Sequence, residues 1–465
     1  MEHGHESRTA DLVILGGGPA GIQASRIVKT ARPDWRVVVL RPEEHSMVYC
    51  AIPYAIEGLF PLEKTFKKDE LVTETGAELV RATARSLDLA ARRVLLEDGR
   101  SLSYERLLIT TGAIPLRPRI PGIHARNVFT VKTAQDARRI IERLAPFADC
   151  DAPGTGRPTG PGRQKVVVVG SGAIGIEQAV VYASLGLEIH LVEMRAHLLP
   201  QLLDPDMAEA PMNEIRNLGV TVHLDRTVEA LEGEPAVRAV LLGEGERIVL
   251  DPRRDFVVIA VGMQPDIGFL AGCGFEQGPD GLAVDARMRT SVPGVWAAGD
   301  CVSGISGIDG KPIGGKLATN AVPMAKVAAR DILGEKVSYP GFFNGAATVV
   351  GTLRIGGTGF TETFARARGL KVGSSISGTT ARFPMMPDPG HVKVKLVFVQ
   401  DTGRLVGAQV IGTEAVAERI DLLTFAIQMG ASVSDLAAFS YSAQPWQTFF
   451  PARNAIVEAA TTAMA

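Results

Sequence analysis

One cysteine stands in a setting suited to chemistry. Cys50 lies in SMVYCAIPYAIEG, residues 46–58, three residues before Pro53. CAIPYAI reads as a helix start with proline in its first turn, where a missing N–H is harmless. A thiol at a helix N-terminus has its thiolate stabilised and becomes nucleophilic near neutral pH. The alternative, a small buried apolar side chain, stays open on chemistry alone. Two glycine-rich turns supply a second chemistry. Gly16, Gly18 and Gly21 form G-x-G-x-x-G around Pro19 and Ala20, and Gly170, Gly172 and Gly175 form another around Ile174. Glycine at these spacings permits a tight turn and lets the backbone approach a pyrophosphate, whose oxygens then meet unpaired N–H groups at a helix start. Glu193 closes the strand after the second turn, where an acid hydrogen-bonds an adenosine ribose and repels a 2′-phosphate, so NADH is favoured over NADPH. Arg195 nearby softens that preference, and a solvated strand-end acid is the alternative reading of Glu193.

These residues need strands and helices to hold them. DLVILGGGPAGIQASRIVKTARPDWRVVVL (11–40) and KVVVVGSGAIGIEQAVVYASLGLEIHLVE (165–193) each read as apolar strand, glycine turn, helix and second apolar strand. Near-continuous Val/Ile/Leu strands suit a parallel sheet covered on both faces, so these are two βαβ units. Two such units imply two nucleotides and a relay of electrons between them. The segment ADCDAPGTGRPTGPGRQ (148–164) reads as a flexible connector. From Lys336 onward, HVKVKLVFV (391–399) and RLVGAQVIG (404–412) form a hairpin pattern, followed by helical AVAERIDLLTFAIQMG and SVSDLAAF, an α+β region.

Composition narrows the class. A 465-residue chain is too long for one core, and a formal charge of −2 leaves no footprint for nucleic acid or an anionic membrane. Four cysteines without a CxxC or a zinc spacing make neither a disulfide scaffold nor a metal site. The N-terminus lacks a secretion-signal layout, no apolar run reaches the roughly 18 residues that span a bilayer, and His3 and His5 read as a disordered tail. The expectation is a soluble cytoplasmic protein.

SMVYCAIPY resembles the S-x-x-x-C-[GA]-x-P-Y signature of the single-cysteine branch of FAD-dependent pyridine nucleotide–disulfide oxidoreductases, through Ser46, Cys50, Pro53 and Tyr54. That branch holds coenzyme A-disulfide reductases, persulfide reductases, NADH oxidases and NADH peroxidases. LLITTGAIP (Thr110, Thr111, Gly112), FVVIAVGMQPD (Gly262, Pro265), VPGVWAAGDC (Gly299, Asp300) and GGKLATNAVPMAKVAARDILG (314–334) are similar to further family motifs. The resemblance implies an α/β fold with two Rossmann-like, glutathione-reductase-like domains and a C-terminal α+β dimerisation domain. It divides the chain into an FAD-binding domain in two parts, 8–122 and 283–335, an NAD(H)-binding domain, 123–282, and a dimerisation domain, 336–465. It implies FAD on the first turn with Asp300 at the ribityl or phosphate region, NAD(P)H on the second, a Cys50 thiolate facing the flavin, and a homodimer whose C-terminal domain covers the partner's site. Glu177 matches a position near the nicotinamide, with helix packing as its alternative. Tyr441 matches a tyrosine that protonates a leaving sulfur from the other subunit, with dimer packing as its alternative.

The chain also departs from the family. Arg41 in VVVLRPEE stands where an acid holds the FAD adenosine ribose, so Glu43 or Glu44 reaches back or the ribose is held otherwise. The CxxxxC pair and the C-terminal His–Glu pair are absent. Pro19 replaces the histidine of NADH peroxidase, and YSAQPWQTFFP replaces Y-A-P-P, so Trp446, Phe449 and Phe450 are expected to reshape the pocket entrance. The resulting expectation is an NADH-dependent flavoprotein that reduces a disulfide or persulfide of a small thiol, of the coenzyme A type, through Cys50 alone. Its rivals are an NADH oxidase working through a Cys50 sulfenic acid and an electron carrier for a small redox protein. Arg26, Lys29, Lys67 and Lys68 are the candidate contacts for coenzyme A phosphates, with ordinary solvated charges as their alternative reading, and Cys301 is expected to take no redox part.

Overall fold

The computed structural model describes residues 9–144 and 163–465; the His3/His5 tail, Cys150 and the connector at 151–162 lie outside them. The chain packs as two units, one holding residues up to Tyr49 with Glu63–Ile114 and Met263–Phe342, the other holding Cys50–Leu62, Pro115–Gly262 and Phe343–Ala465.

In the first unit, Ala10–Leu15 is buried at five of its six positions, as a Val/Ile/Leu strand inside a parallel sheet must be. It pairs in parallel with Val37–Leu40 on one side and Ser101–Ile109 on the other. Glu78–Val80 extends the sheet beyond Val37–Leu40, Val295–Ala297 runs parallel to Ser101–Ile109, and the antiparallel strands Arg93–Leu96 and Ala84–Asp88 complete seven. Helix Pro19–Ala31 starts with its proline in the first turn and packs on helix Ala318–Ile332. The chain rejoins this unit at Met263, twenty residues before the expected boundary at 283. Met263–Pro265 pairs with Ala113–Pro115, and the Asp266 N–H donates to the Gly112 carbonyl at 2.9 Å.

The second unit carries a five-stranded parallel sheet in the order Val128–Phe129, Phe256–Ile259, Lys165–Val169, Glu188–Val192, Thr221–His223. The C-terminal region is a five-stranded antiparallel sheet, ordered Ala346–Val350, Leu353–Gly359, Leu405–Gly412, Val392–Val399, Val372–Thr379. The expected hairpin is there, with Leu405–Gly412 central and buried at every position. Helices Val416–Gln428 and Ala455–Met464 pack on it. No helix among the described residues is long and apolar enough to cross a membrane, and no cluster of three or more metal-ligating side chains occurs among them.

One buried cation ties the two layers of this unit together. Alternation places Lys393 and Lys395 on the same face of Val392–Val399, and that face is covered rather than wet. Lys395 is 1% exposed; its Nζ donates to both Asp206 oxygens, at 2.7 and 2.9 Å, and pairs with Glu362 at 2.9 Å and Asp204 at 3.3 Å. Asp204, just before helix Pro205–Asn217, also accepts from Gln409 and from the backbone of Glu362 and Thr363. Burial pushes its carboxyl up, but these hydrogen bonds outweigh it and hold it below the usual carboxylate range. Glu362 is depressed the same way, its burial outweighed by Lys395. Lys395→Met leaves carboxylates facing a dry interior without their cation. Urea unfolding at pH 7 should show a loss of about 3 kcal/mol. Because the carboxylate pKa values are depressed in the folded state, the Lys395 contribution is present at neutral pH and lost as pH falls below the usual carboxylate range. The gap between wild type and variant should therefore narrow in acid.

Candidate active site

The first glycine turn is shaped by close approach. Gly16 has φ +108°, and a Cβ there would lie 2.2 Å from the Thr110 carbonyl oxygen. A Cβ on Gly21 would lie 2.0 Å from the Gly16 oxygen, so the helix can seat against the turn only without one. At Gly18, the N-cap, a Cβ would meet nothing within 4 Å: the cradle opens there. Thr110 locks the turn, its hydroxyl donating to the carbonyls of Leu15 and Gly16 at 3.0 and 2.9 Å. Thr111 donates to the Asp266 carbonyl at 2.7 Å, fastening the segment that rejoins the unit. Gly112 and Gly299 both have positive φ, and Gly299 sits against Ala20 and Ala321 where the two helices meet. Asp300 follows, half-buried, its carbonyl accepting from Lys316. Ser46 is 1% exposed, and its hydroxyl has no protein partner.

Neither Glu43 nor Glu44 turns its carboxylate back to Arg41; both offer it backbone carbonyls, at 3.1 and 3.0 Å. The carboxylate that Arg41 does meet is Asp69, which Arg81 shares. Lys29, weighed as a phosphate contact, is 7% exposed and donates to the Pro33 and Trp35 carbonyls, so it is a structural residue. Cys301 is fully buried, and burial pushes its thiol up to about 11.

The second unit repeats the turn. Gly170 has φ +101° and would bring a Cβ within 2.5 Å of the Ala260 oxygen; Gly175 would meet Gly170; Gly172 opens outward. Gly262 also has positive φ with open space beside it, and Ile174 is exposed. Glu193 is 6% exposed, which removes the solvated-acid reading. One of its oxygens accepts from the Ser171 N–H and hydroxyl at 2.9 and 2.6 Å, the other from the Arg195 N–H at 2.9 Å. Glu193 thus fastens the turn to its strand. Ser171, between the first two glycines, is a partner that the spacing alone did not single out.

Cys50 is exposed, in the 3-10 turn Tyr49–Ala51 that leads into helix Ile52–Glu57. The N-cap is Ala51, Pro53 lies in the first turn as expected, and Gly58 in the left-handed region ends the helix after six residues. That helix packs on Ala173–Ser184, where Ser184 donates to Glu57 at 2.8 Å. Burial raises the Tyr54 phenol, and the nearby charges of Glu177, Cys50 and Glu57 raise it further. Glu177 accepts from the Thr348 hydroxyl at 2.9 Å, and burial raises its carboxyl in spite of that bond. The Tyr441 hydroxyl donates to the Pro451 carbonyl at 2.8 Å. Of the aromatic residues expected at an entrance, Trp446 is exposed beneath Arg382, but Phe449 is buried under Arg419 and takes no part in one.

Residues 10–325 match the pyridine nucleotide-disulphide oxidoreductase family, and 346–448 its dimerisation domain. The chain belongs to this family. It is 32% identical over 451 residues to an NADH oxidase of Methanocaldococcus jannaschii, covering 93% of this chain and 94% of the relative. It is 29% identical over 437 residues to the NAD(P)H coenzyme A polysulfide/persulfide reductase of Pyrococcus horikoshii, covering 92% and 93%. The solved NAD-dependent persulfide reductase from A. fulgidus superposes with a TM-score of 0.90 at 27% identity, over 97% of this chain and 83% of that one. As a member of the family, the chain is an NAD(P)H-dependent flavin oxidoreductase. The first turn fits FAD on its own evidence: an open cradle at Gly18, and the buried Ser46 hydroxyl and Arg41 Nη1, neither of which has a protein partner.

Glu177 yields a pH prediction. Its folded-state pKa is raised, so the unfolded chain ionises first as pH rises and folding becomes less favourable by that amount. Glu177→Gln, which still accepts from Thr348, should raise the melting temperature at pH 7, and the gain should vanish below the usual glutamate range.

Proposed function

We propose that this enzyme uses NADH to reduce the sulfur–sulfur bond of a small-thiol disulfide or persulfide, with Cys50 as its only redox cysteine. The observation that carries this reading is the exposure of Cys50 inside the signature turn, against a fully buried Cys301 and a half-buried Cys273. The names of its Pyrococcus relatives, coenzyme A-dependent NAD(P)H sulfur oxidoreductase and NAD(P)H coenzyme A polysulfide/persulfide reductase, support the sulfur substrate and its coenzyme A type. The Cys50 thiolate attacks one sulfur of the substrate, a Cys50–sulfur bond forms, the substrate's S–S bond breaks, and a thiolate leaves. Two electrons from NADH then cleave the mixed disulfide, returning Cys50 to thiolate and releasing the second thiol. Per turnover, one disulfide, NADH and a proton become two thiols and NAD⁺. Bound FAD would supply the two-electron store between nicotinamide and sulfur. One cysteine suffices because the substrate contributes the second sulfur. Glu193 supports a preference for NADH, Glu177 a place at the nicotinamide, and Tyr441 of a second copy the proton for the leaving sulfur. The four-part division of the chain belongs to the same reading, with its second boundary at Gly262–Met263 in place of 282.

The dimerisation-domain match supports a homodimer, as does an apolar stripe on helix Val416–Gln428 and just beyond it: Leu422, Phe425 and Met429, the last two 60% and 67% exposed. A second reading, an NADH oxidase, is favoured by the name of the relative from M. jannaschii. Anaerobic turnover separates the two. NADH with coenzyme A disulfide or persulfide should be consumed under nitrogen with stoichiometric thiol release, and Cys50→Ser should lower that rate at least about 10³-fold. Fast oxygen reduction with no thiol release would favour the oxidase. The double variant Phe425→Asp, Met429→Asp should run as a monomer in sedimentation, since two buried unpaired charges disfavour such an interface.

A further inference from the structure

Arg41 occupies the end of strand Val37–Leu40, where nucleotide folds of this kind present an acid to the adenosine ribose. It is among the most completely enclosed side chains in the protein, 2% exposed. Its stem lies under the first glycine turn. A Cβ on Gly17 would come within 2.7 Å of Arg41 Cδ and 2.9 Å of its Cβ, so the middle glycine of GGG makes room for this arginine. Nε and one terminal nitrogen are anchored by the Glu43 and Glu44 carbonyls and by Asp69. Burial pushes the Asp69 carboxyl up, but Arg41 and Arg81 outweigh it and hold it below the usual range, so the anchor is charged at neutral pH. The other terminal nitrogen, Nη1, is buried and has no partner in the protein. A buried donor of a charged group is normally hydrogen-bonded, and here the protein leaves that place to a ligand or an ordered water.

We propose that Arg41 reads the adenosine half of the bound flavin dinucleotide, its Nη1 donating to a ribose or phosphate oxygen in place of the carboxylate that accepts from ribose hydroxyls elsewhere. The polarity of that contact is thereby inverted. Gly17, Arg41 and Asp69 form one unit, with Asp69 and the two carbonyls fixing the guanidinium and Gly17 letting the turn lie against it. This proposal rests on the assignment of FAD to the first turn.

Flavin retention by the full-length protein tests it, using FAD and FMN, which lacks the adenosine half. Bound flavin is read by absorbance after equilibrium dialysis, and folding by the melting temperature. Arg41→Gln should weaken FAD by about tenfold to a hundredfold, the worth of a charge-assisted hydrogen bond, and leave FMN within about twofold on the same scale. Arg81→Gln, which removes the other cation on Asp69, should leave FAD affinity unchanged. Unaltered FAD affinity in Arg41→Gln, an equal loss for FAD and FMN, or an equal loss in Arg81→Gln would overturn the role of Arg41. Failure of the unaltered protein to bind FAD at all would instead overturn the flavin assignment itself.

Discussion

In each unit, the chain leaving a central parallel strand passes the neighbouring backbone so closely that no side chain fits at the turn. Leu15 lies beside Ile109 in the first, and Val169 beside Ile259 in the second. One residue later, Gly16 faces the Thr110 carbonyl and Gly170 faces the Ala260 carbonyl at distances only glycine can occupy. That contact forces the chain to turn at once, and the turn leaves the first N–H groups of a helix free at the sheet's edge. On the proposed reading, both nucleotide seats rest on this steric limit, met twice. Thr110 in one unit and Glu193 in the other reinforce it by hydrogen bonds to the turn itself.

Against those seats, the thiols are sorted by burial. Cys301 adjoins Asp300, yet its environment disfavours the thiolate and its sulfur donates to the Ile109 and Ala298 carbonyls. Cys50 is held at the surface of its unit by a short turn and a six-residue helix, open to a substrate. Covalent sulfur chemistry needs access as well as nucleophilicity, and access separates these two side chains.

Much of this was legible in the sequence because it depends on local pattern. The two βαβ units, the C-terminal hairpin and its helices, and the proline-led helix after Cys50 all follow from periodicity, glycine spacing and proline position. What escaped depends on residues far apart in the chain. HVKVKLVFV shows alternating lysines, but only the approach of Asp204 and Asp206, nearly 190 residues away, turns Lys395 inward as a buried cation. Lys29 read as solvated because no sequence signal announces two backbone carbonyls within its reach. Phe449 looked like an entrance residue until Arg419, thirty positions earlier, proved to lie 4.0 Å over its ring. Arg41 was visible as a departure, but its partner Asp69 was not, since the acidic side chains nearest in sequence, Glu43 and Glu44, point elsewhere.

The central claim is that Cys50 bonds covalently to substrate sulfur, and peptide mass spectrometry addresses it directly. Protein incubated anaerobically with coenzyme A disulfide, without reductant, should gain one coenzyme A thiol mass on the peptide bearing Cys50, and NADH should remove it. An unmodified Cys50, or an adduct on Cys273 instead, would contradict the account.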